Sequence, residues 1–159
     1  MVEKYRQFYS DYKNKLYNYL LYKSGNSDLA NDITQESFTR HFKHYGQHAV
    51  ASPTLLFTIA RNVLVDYQRD QTRFRRADIP VQRATPDAER SSIAKEEYSR
   101  IHDAIKTLPK QDRDILILAV GGMAYKEISA IFDLSITNVK VKIHRSRTKI
   151  RNILNHKVY

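Results

Sequence analysis

The sequence predicts an all-α fold: two small helical domains joined by a flexible linker, the C-terminal one containing a helix-turn-helix. Three observations carry that expectation. Apolar residues recur at three- and four-residue steps through most of the 159-residue chain, the spacing of one helical face. Only four glycines and four prolines are present, and alternating apolar–polar runs are few. Pro80 and Pro86 fall in a single stretch, 73–95, that carries no helical periodicity. The expected domains are therefore 1–76 and 95–159, with 77–94 as the linker.

Charge narrows the partners. The formal net charge is +10 and the sequence pI about 9.8, so an anionic partner, nucleic acid or an acidic membrane surface, is expected. The longest apolar run, Ile115 to Val120, has six residues, against the roughly 20 that span a bilayer. The N-terminal Met1-Val2-Glu3-Lys4-Tyr5-Arg6 lacks the apolar core of a signal peptide. With no cysteine, disulfides, thiolate zinc sites and cysteine nucleophiles are excluded. These features predict a cytoplasmic protein with no membrane insertion.

The first helix is marked by Tyr5, Phe8, Tyr9, Tyr12, Leu16, Tyr19 and Leu20, a stripe read as core rather than as a base-stacking platform. Ser24-Gly25 ends it, and Ser27 opens the next. That second helix, about Asp28 to His44, buries Leu29, Ile33, Phe38 and Phe42. Asp28, Asp32 and Glu36 make an acidic stripe on an otherwise basic chain; it would repel DNA and suits a positively charged protein. His41, His44 and His48 raise a metal site, but Gly46 is read as ending the helix between them. No carboxylate or cysteine joins them at ligand spacing, so neither metal nor cofactor is expected. Tyr45 to Ala51 is read as a loop.

Ser52-Pro53 opens a third helix, in the favoured order of cap and first-turn proline. Pro53 to about Arg69 buries Leu56, Ala60, Val63, Leu64 and Tyr67. The other side presents Arg61, Asn62, Asp66 and Arg69, with Arg73, Arg75 and Arg76 just beyond. Asn and Arg read base edges, and Arg also holds phosphates.

After the linker, Tyr98, Ile101, Ala104, Ile105 and Leu108 form a short amphipathic helix closing at Pro109. The next buries Ile115, Leu116, Leu118 and Ala119 and stops at Gly121-Gly122. Ala124 to Phe132 carries Ile128, Ile131 and Phe132 on one face. Asp133 then takes the left-handed turn, and Ser135 caps a last helix with Ile136, Val139, Ile143, Ile150 and Leu154 in phase. From Ser135 to Tyr159 there is no Asp or Glu. Thr137, Asn138, Val141, Lys142, Arg145 and Lys149 fall opposite the apolar stripe. Small polar residues at the helix start and cations further along suit a DNA major groove. Val141, apolar and outward, suits a thymine methyl group.

At this point the chain resembles bacterial sigma factors of the extracytoplasmic-function group, over nearly all its length. Ser27 to Phe38, including Asp28, Asp32, Gln35 and Glu36, looks like the segment that grips the β′ clamp helices of RNA polymerase. Thr58 to Arg69 is similar to the helix that engages the −10 element, and the loop before it, here Tyr45 to Ala51, captures a flipped base in that group. Leu108-Pro109-Lys110-Gln111-Asp112-Arg113 looks like the opening of the −35-binding domain. Tyr125-Lys126-Glu127-Ile128 through Val139-Lys140 and His144-Arg145-Ser146-Arg147 matches its helix-turn-helix. Ser129 and Asp133 depart from the alanine and glycine usual in the turn, and Val141 replaces a residue that is usually polar.

The resemblance implies a promoter-specificity subunit without chemistry of its own. Its implied partners are core RNA polymerase (β′ clamp helices and β subunit), promoter DNA and a separate anti-sigma factor. The alternative is a stand-alone helix-turn-helix transcriptional regulator, which leaves the acidic stripe and the second basic helix without a role. A nuclease built on His41, His44 and His48 has no paired carboxylate to support it.

Overall fold

A computed structural model of the chain describes residues 2–48, 51–74 and 92–156, and of 47, 48 and 72–74 the backbone alone. These residues form α1 (Val2–Ser24), α2 (Ser27–His48), α3 (Pro53–Phe74), α4 (Ser92–Lys106), α5 (Lys110–Val120), α6 (Tyr125–Phe132) and α7 (Ile136–His156). Among the described residues there is no strand, as the periodicity predicts. The chain divides into two compact units, Met1–Ala84 and Thr85–Tyr159. Residues 77–91 of the predicted linker lie outside the described residues, as do Arg75 and Arg76, while 92–94 already belong to α4.

In the first unit α1, α2 and α3 pack against one another. The α1–α2 turn is written into two residues, Gly25 and Asn26. Gly25 sits at φ +66° and donates its N–H to the Leu21 carbonyl at 2.8 Å, a helix end that glycine closes without steric cost. Asn26, rather than Ser27, caps α2, its Oδ1 accepting the Leu29 N–H at 3.1 Å. Ser52 caps α3 as predicted, accepting the Leu55 N–H at 3.2 Å, with Pro53 in the first helical position.

In this unit the ends of two helices and the faces of two helices differ from expectation. Gly46 does not end α2, which continues to His48. A single glycine costs about 1 kcal/mol in a helix, less than the burial of Tyr45 returns, since an aromatic side chain removes much apolar area from water. Tyr45 is thus a core residue, its ring 5.0 Å from that of Tyr5, and not the start of a loop. Phe42, predicted inside, is 48% exposed: the rotation that buries His41 and Tyr45 leaves it on the rim. In α3, Phe57 is fully buried with Leu56, Ala60, Val63 and Leu64, whereas Tyr67 is exposed. Its hydroxyl accepts the Gln71 amide at 2.8 Å. α3 also runs past Arg69 to Phe74, so Arg73 belongs to the helix.

A buried hydrogen-bond chain crosses this core. The Ser52 N–H donates to His41 Nε2 at 3.2 Å. His41 Nδ1 lies 3.0 Å from the Tyr5 hydroxyl, which donates to the Phe38 carbonyl at 3.1 Å. Because Nε2 accepts, the ring is neutral with its proton on Nδ1, and every polar atom in the chain has a partner. The ring also stacks on Phe8 at 4.9 Å. Burial pushes the Tyr5 phenol up to about 12 and pushes His41 below the ordinary histidine range, with neighbouring His44 adding to the latter. A histidine depressed in the folded state contributes stability above its unfolded value, about 6.5, and loses it as pH falls below that. Lowering pH from neutrality towards 5 should therefore lower the denaturation midpoint of the first unit. The drop should be smaller in His41→Gln; equal slopes in the two proteins would contradict this role for His41.

In the second unit α7 is the hub, with α4, α5 and α6 each packed on it. The end of α5 is a paired closure: the Gly122 N–H reaches Ala119 O at 3.1 Å and the Met123 N–H reaches Leu118 O at 3.0 Å. Gly122 stands at φ +90°, which this closure requires. Asp133 takes φ 54° and ψ 49°, as predicted. Ser135 Oγ accepts the Asn138 N–H at 3.0 Å, capping α7. Val139 and Ile143 are buried in the α7 stripe; Ile150 and Leu154 are half-buried. Ile136, predicted in that stripe, is exposed in the first turn, and Ser146 is buried instead. Ala119 is half-buried and Asp114, rather than it, lies inside. On α4, Ala104 is buried while Tyr98 and Ile101 are exposed, with Leu108 buried just beyond the helix.

Candidate nucleic-acid interfaces and docking face

The buried stripe of α7 fixes what the helix can offer outward. With successive residues about 100° apart, Val139, Ile143 and Ser146 face the module. Thr137, Val141, His144, Arg145 and Thr148 face away, and all five are exposed. Asn138 is exposed beside them, and Lys140 is exposed on one flank. Val141, 39% exposed, is an apolar patch in a polar face, as its phase predicts.

The opposite flank behaves differently. Lys142 is half-buried and its Nζ lies 3.1 Å from Asp112 Oδ1 on α5. Two turns on, Lys149 Nζ donates to the Thr107 carbonyl at 3.3 Å, just past the end of α4. Both lysines, expected on the outward face, thus point back onto their own module. The heptad spacing that puts them in one column also puts that column beside the core stripe.

α3 carries a second polar face. Asn62, Asp66 and Arg69 are exposed and share one side of the helix with Thr58 and Val65. Arg61 is half-buried on the flank. Arg73 continues the row by register, its side chain lying outside the described atoms. Tyr45 takes no part in a loop beside this face, being in the core.

On α2, Asp28, Asp32, Gln35 and Glu36 are all exposed. Glu36 is paired to Arg40 at 2.6 Å one turn on, which cancels its charge locally. Gln35 Nε2 approaches the Tyr9 hydroxyl at 3.4 Å. The unpaired acidic character thus concentrates on Asp28 and Asp32. Exposed Phe42 lies along the same side of the helix, an apolar neighbour that the sequence reading placed in the core. Among the described residues no group of three metal-capable side chains occurs, and both ring nitrogens of His41 are engaged in the core.

An outward polar helix in each unit, one of them the basic second helix of a helix-turn-helix, fits the class of helical DNA-binding transcription proteins. Comparison with known proteins narrows this class. Residues 8–74 match the model of Sigma-70 region 2, and residues 98–150 match Sigma-70, region 4. The chain is 30% identical to the ECF RNA polymerase sigma factor EcfG of Rhodopseudomonas palustris, over 82% of this chain and 74% of that protein. It is 29% identical to the ECF RNA polymerase sigma factor SigM of Bacillus subtilis, over 96% of each. The fold also matches the sigma factor RpoE of Bartonella quintana, solved in complex with the anti-sigma factor NepR. That match has a TM-score of 0.64 and 21% identity, and covers 96% of this chain and 98% of that one. CnrH, solved with the cytosolic domain of CnrY, matches at a TM-score of 0.64 and 20% identity, over 98% and 90% of the two chains.

The chain belongs to the ECF RNA polymerase sigma factors of the sigma-70 family. It is a promoter-directing subunit of RNA polymerase.

Proposed function

We propose that the two units divide promoter recognition between them: 1–76 docks on the polymerase and holds −10 DNA, 77–94 is the tether, and 95–159 reads the −35 element. Asp28 and Asp32, flanked by Gln35 and Phe42, form the face for the β′ clamp helices. Glu36 contributes less because Arg40 neutralises it. Asn62, Asp66, Arg69 and Arg73, with Arg61 on the flank, face the −10 element. Thr137, Asn138, Val141, His144 and Arg145 enter the −35 major groove, with Lys140 on an adjacent phosphate. Melting is selection by binding energy: extruding a base costs a few kcal/mol, offset by contacts to the freed strand.

The observation that carries this reading is the exposed acidic face of α2 beside a second polar helix, α3, in a unit with no helix-turn-helix among its described residues. A stand-alone regulator needs neither. On this reading the protein works in the cytoplasm with core enzyme, catalyses nothing itself, and is held in check by an anti-sigma factor, as the sigma factor RpoE of Bartonella quintana is bound to one in its solved complex. No described helix is long and apolar enough to cross a membrane. Size-exclusion chromatography with core RNA polymerase and no DNA tests it. The full chain should co-elute with core in equal stoichiometry; failure to do so would favour the stand-alone regulator.

A further inference from the structure

The Asp112–Lys142 pair has no place in the reading above. Asp112 lies in the first turn of α5, where a carboxylate is favoured by the exposed N–H groups of the helix end. Its Oδ1 is 3.1 Å from Lys142 Nζ, and the side chains are only 22% and 27% exposed, so the pair is screened less than a surface pair. Lys142 nevertheless lies within the recognition helix, one residue from Val141 and three from Arg145.

Sequence-blind affinity for DNA grows with each cation that reaches a phosphate, and it is the salt-dependent part of binding. Discrimination comes from base-edge contacts. A lysine held by its own module adds to neither. We infer that Asp112 is a specificity-setting residue: by holding Lys142 off the phosphates it lowers binding to arbitrary duplex and leaves selectivity to Arg145 and the small residues of the first turn. The inference rests on α7 being the DNA-reading helix. Its sign is opposite to what the basic composition of α7 suggests, because removing a negative charge here frees a cation rather than only loosening a fold.

The test measures affinity of the full-length chain for a random-sequence duplex across salt concentration. Asp112→Asn should steepen the slope of log affinity against log salt by about 0.9, the value of one added phosphate contact on duplex DNA. Asp112→Asn combined with Lys142→Gln should return to the wild-type slope, and Asp112→Glu, which can keep the pair, should not depart from it. Lys142→Gln alone should leave the slope unchanged, and it tests the same point should Asp112→Asn fail to fold. A merely structural Asp112 would instead weaken binding at every salt concentration with one slope throughout. An unchanged slope in Asp112→Asn, or a flattening by about 0.9 in Lys142→Gln, overturns the inference. Arg145→Ala on a promoter duplex separates the two levels. If it binds that duplex as wild type does, α7 is not the reading helix and both readings fall; if it loses binding while the Asp112→Asn slope is unchanged, only the role of Asp112 falls.

Discussion

Reversing both Asp28 and Asp32 (Asp28→Lys, Asp32→Lys) is expected to weaken assembly with core RNA polymerase by on the order of 100-fold, since like charges brought together at an interface cost several kcal/mol. Both side chains are exposed one turn apart on α2, and neither faces the core, so the unit should fold as before. Asp28 stands in the first turn of α2, and its loss there costs a further 0.3–1 kcal/mol or so of helix stability; a circular-dichroism melt separates that from the binding effect. Glu36→Lys should do less, because Arg40 already neutralises Glu36 at 2.6 Å and an exposed pair of this kind contributes little. DNA binding by the second unit should be untouched by any of these. Unchanged affinity for core in the double variant would remove α2 as the docking face.

Arg145→Ala should reduce promoter use by about 1–3 kcal/mol, roughly 5- to 150-fold, while sparing assembly with core. Arg145 is exposed on the side of α7 opposite Val139, Ile143 and Ser146, one turn from Val141 and two from Asn138, so it can reach a base edge while the first turn occupies the groove. The loss should depend on promoter sequence. A uniform loss over all promoters, with a flatter salt dependence, would make it a phosphate contact instead. Full activity would mean that α7 is not the helix that reads the promoter.

Much of the architecture was legible because it rests on local rules. Ser52, Pro53, Asp133, Ser135 and Gly122 act through their own backbone neighbours, and the structure finds each in the predicted place. What the sequence concealed depends on which way a helix is rolled against its partners. Phe42 and Tyr45 are both aromatic and three residues apart, yet only the packing of α1 on α2 decides that Tyr45 goes inside. His41 looked like a candidate ligand until Tyr5 and the Ser52 amide supplied its partners from positions 36 residues before and 11 residues after. The fate of Lys142 was hidden for the same reason. Its phase places it on the rim of the polar face, and a carboxylate on another helix, 30 residues earlier, turns it away. Which residues share one outward helix face was therefore readable, and contacts that depend on a neighbour across the core were not.

On the reading proposed above, this chain confers promoter choice on RNA polymerase through two separately placed helices. In vitro transcription with core enzyme on a randomised promoter library tests it most directly. Transcripts should start only with the full chain present, and the selected templates should share two separated sequence blocks, the upstream one lost in Arg145→Ala. Absence of transcripts from every template, even where the chain binds duplex DNA tightly, would contradict the account.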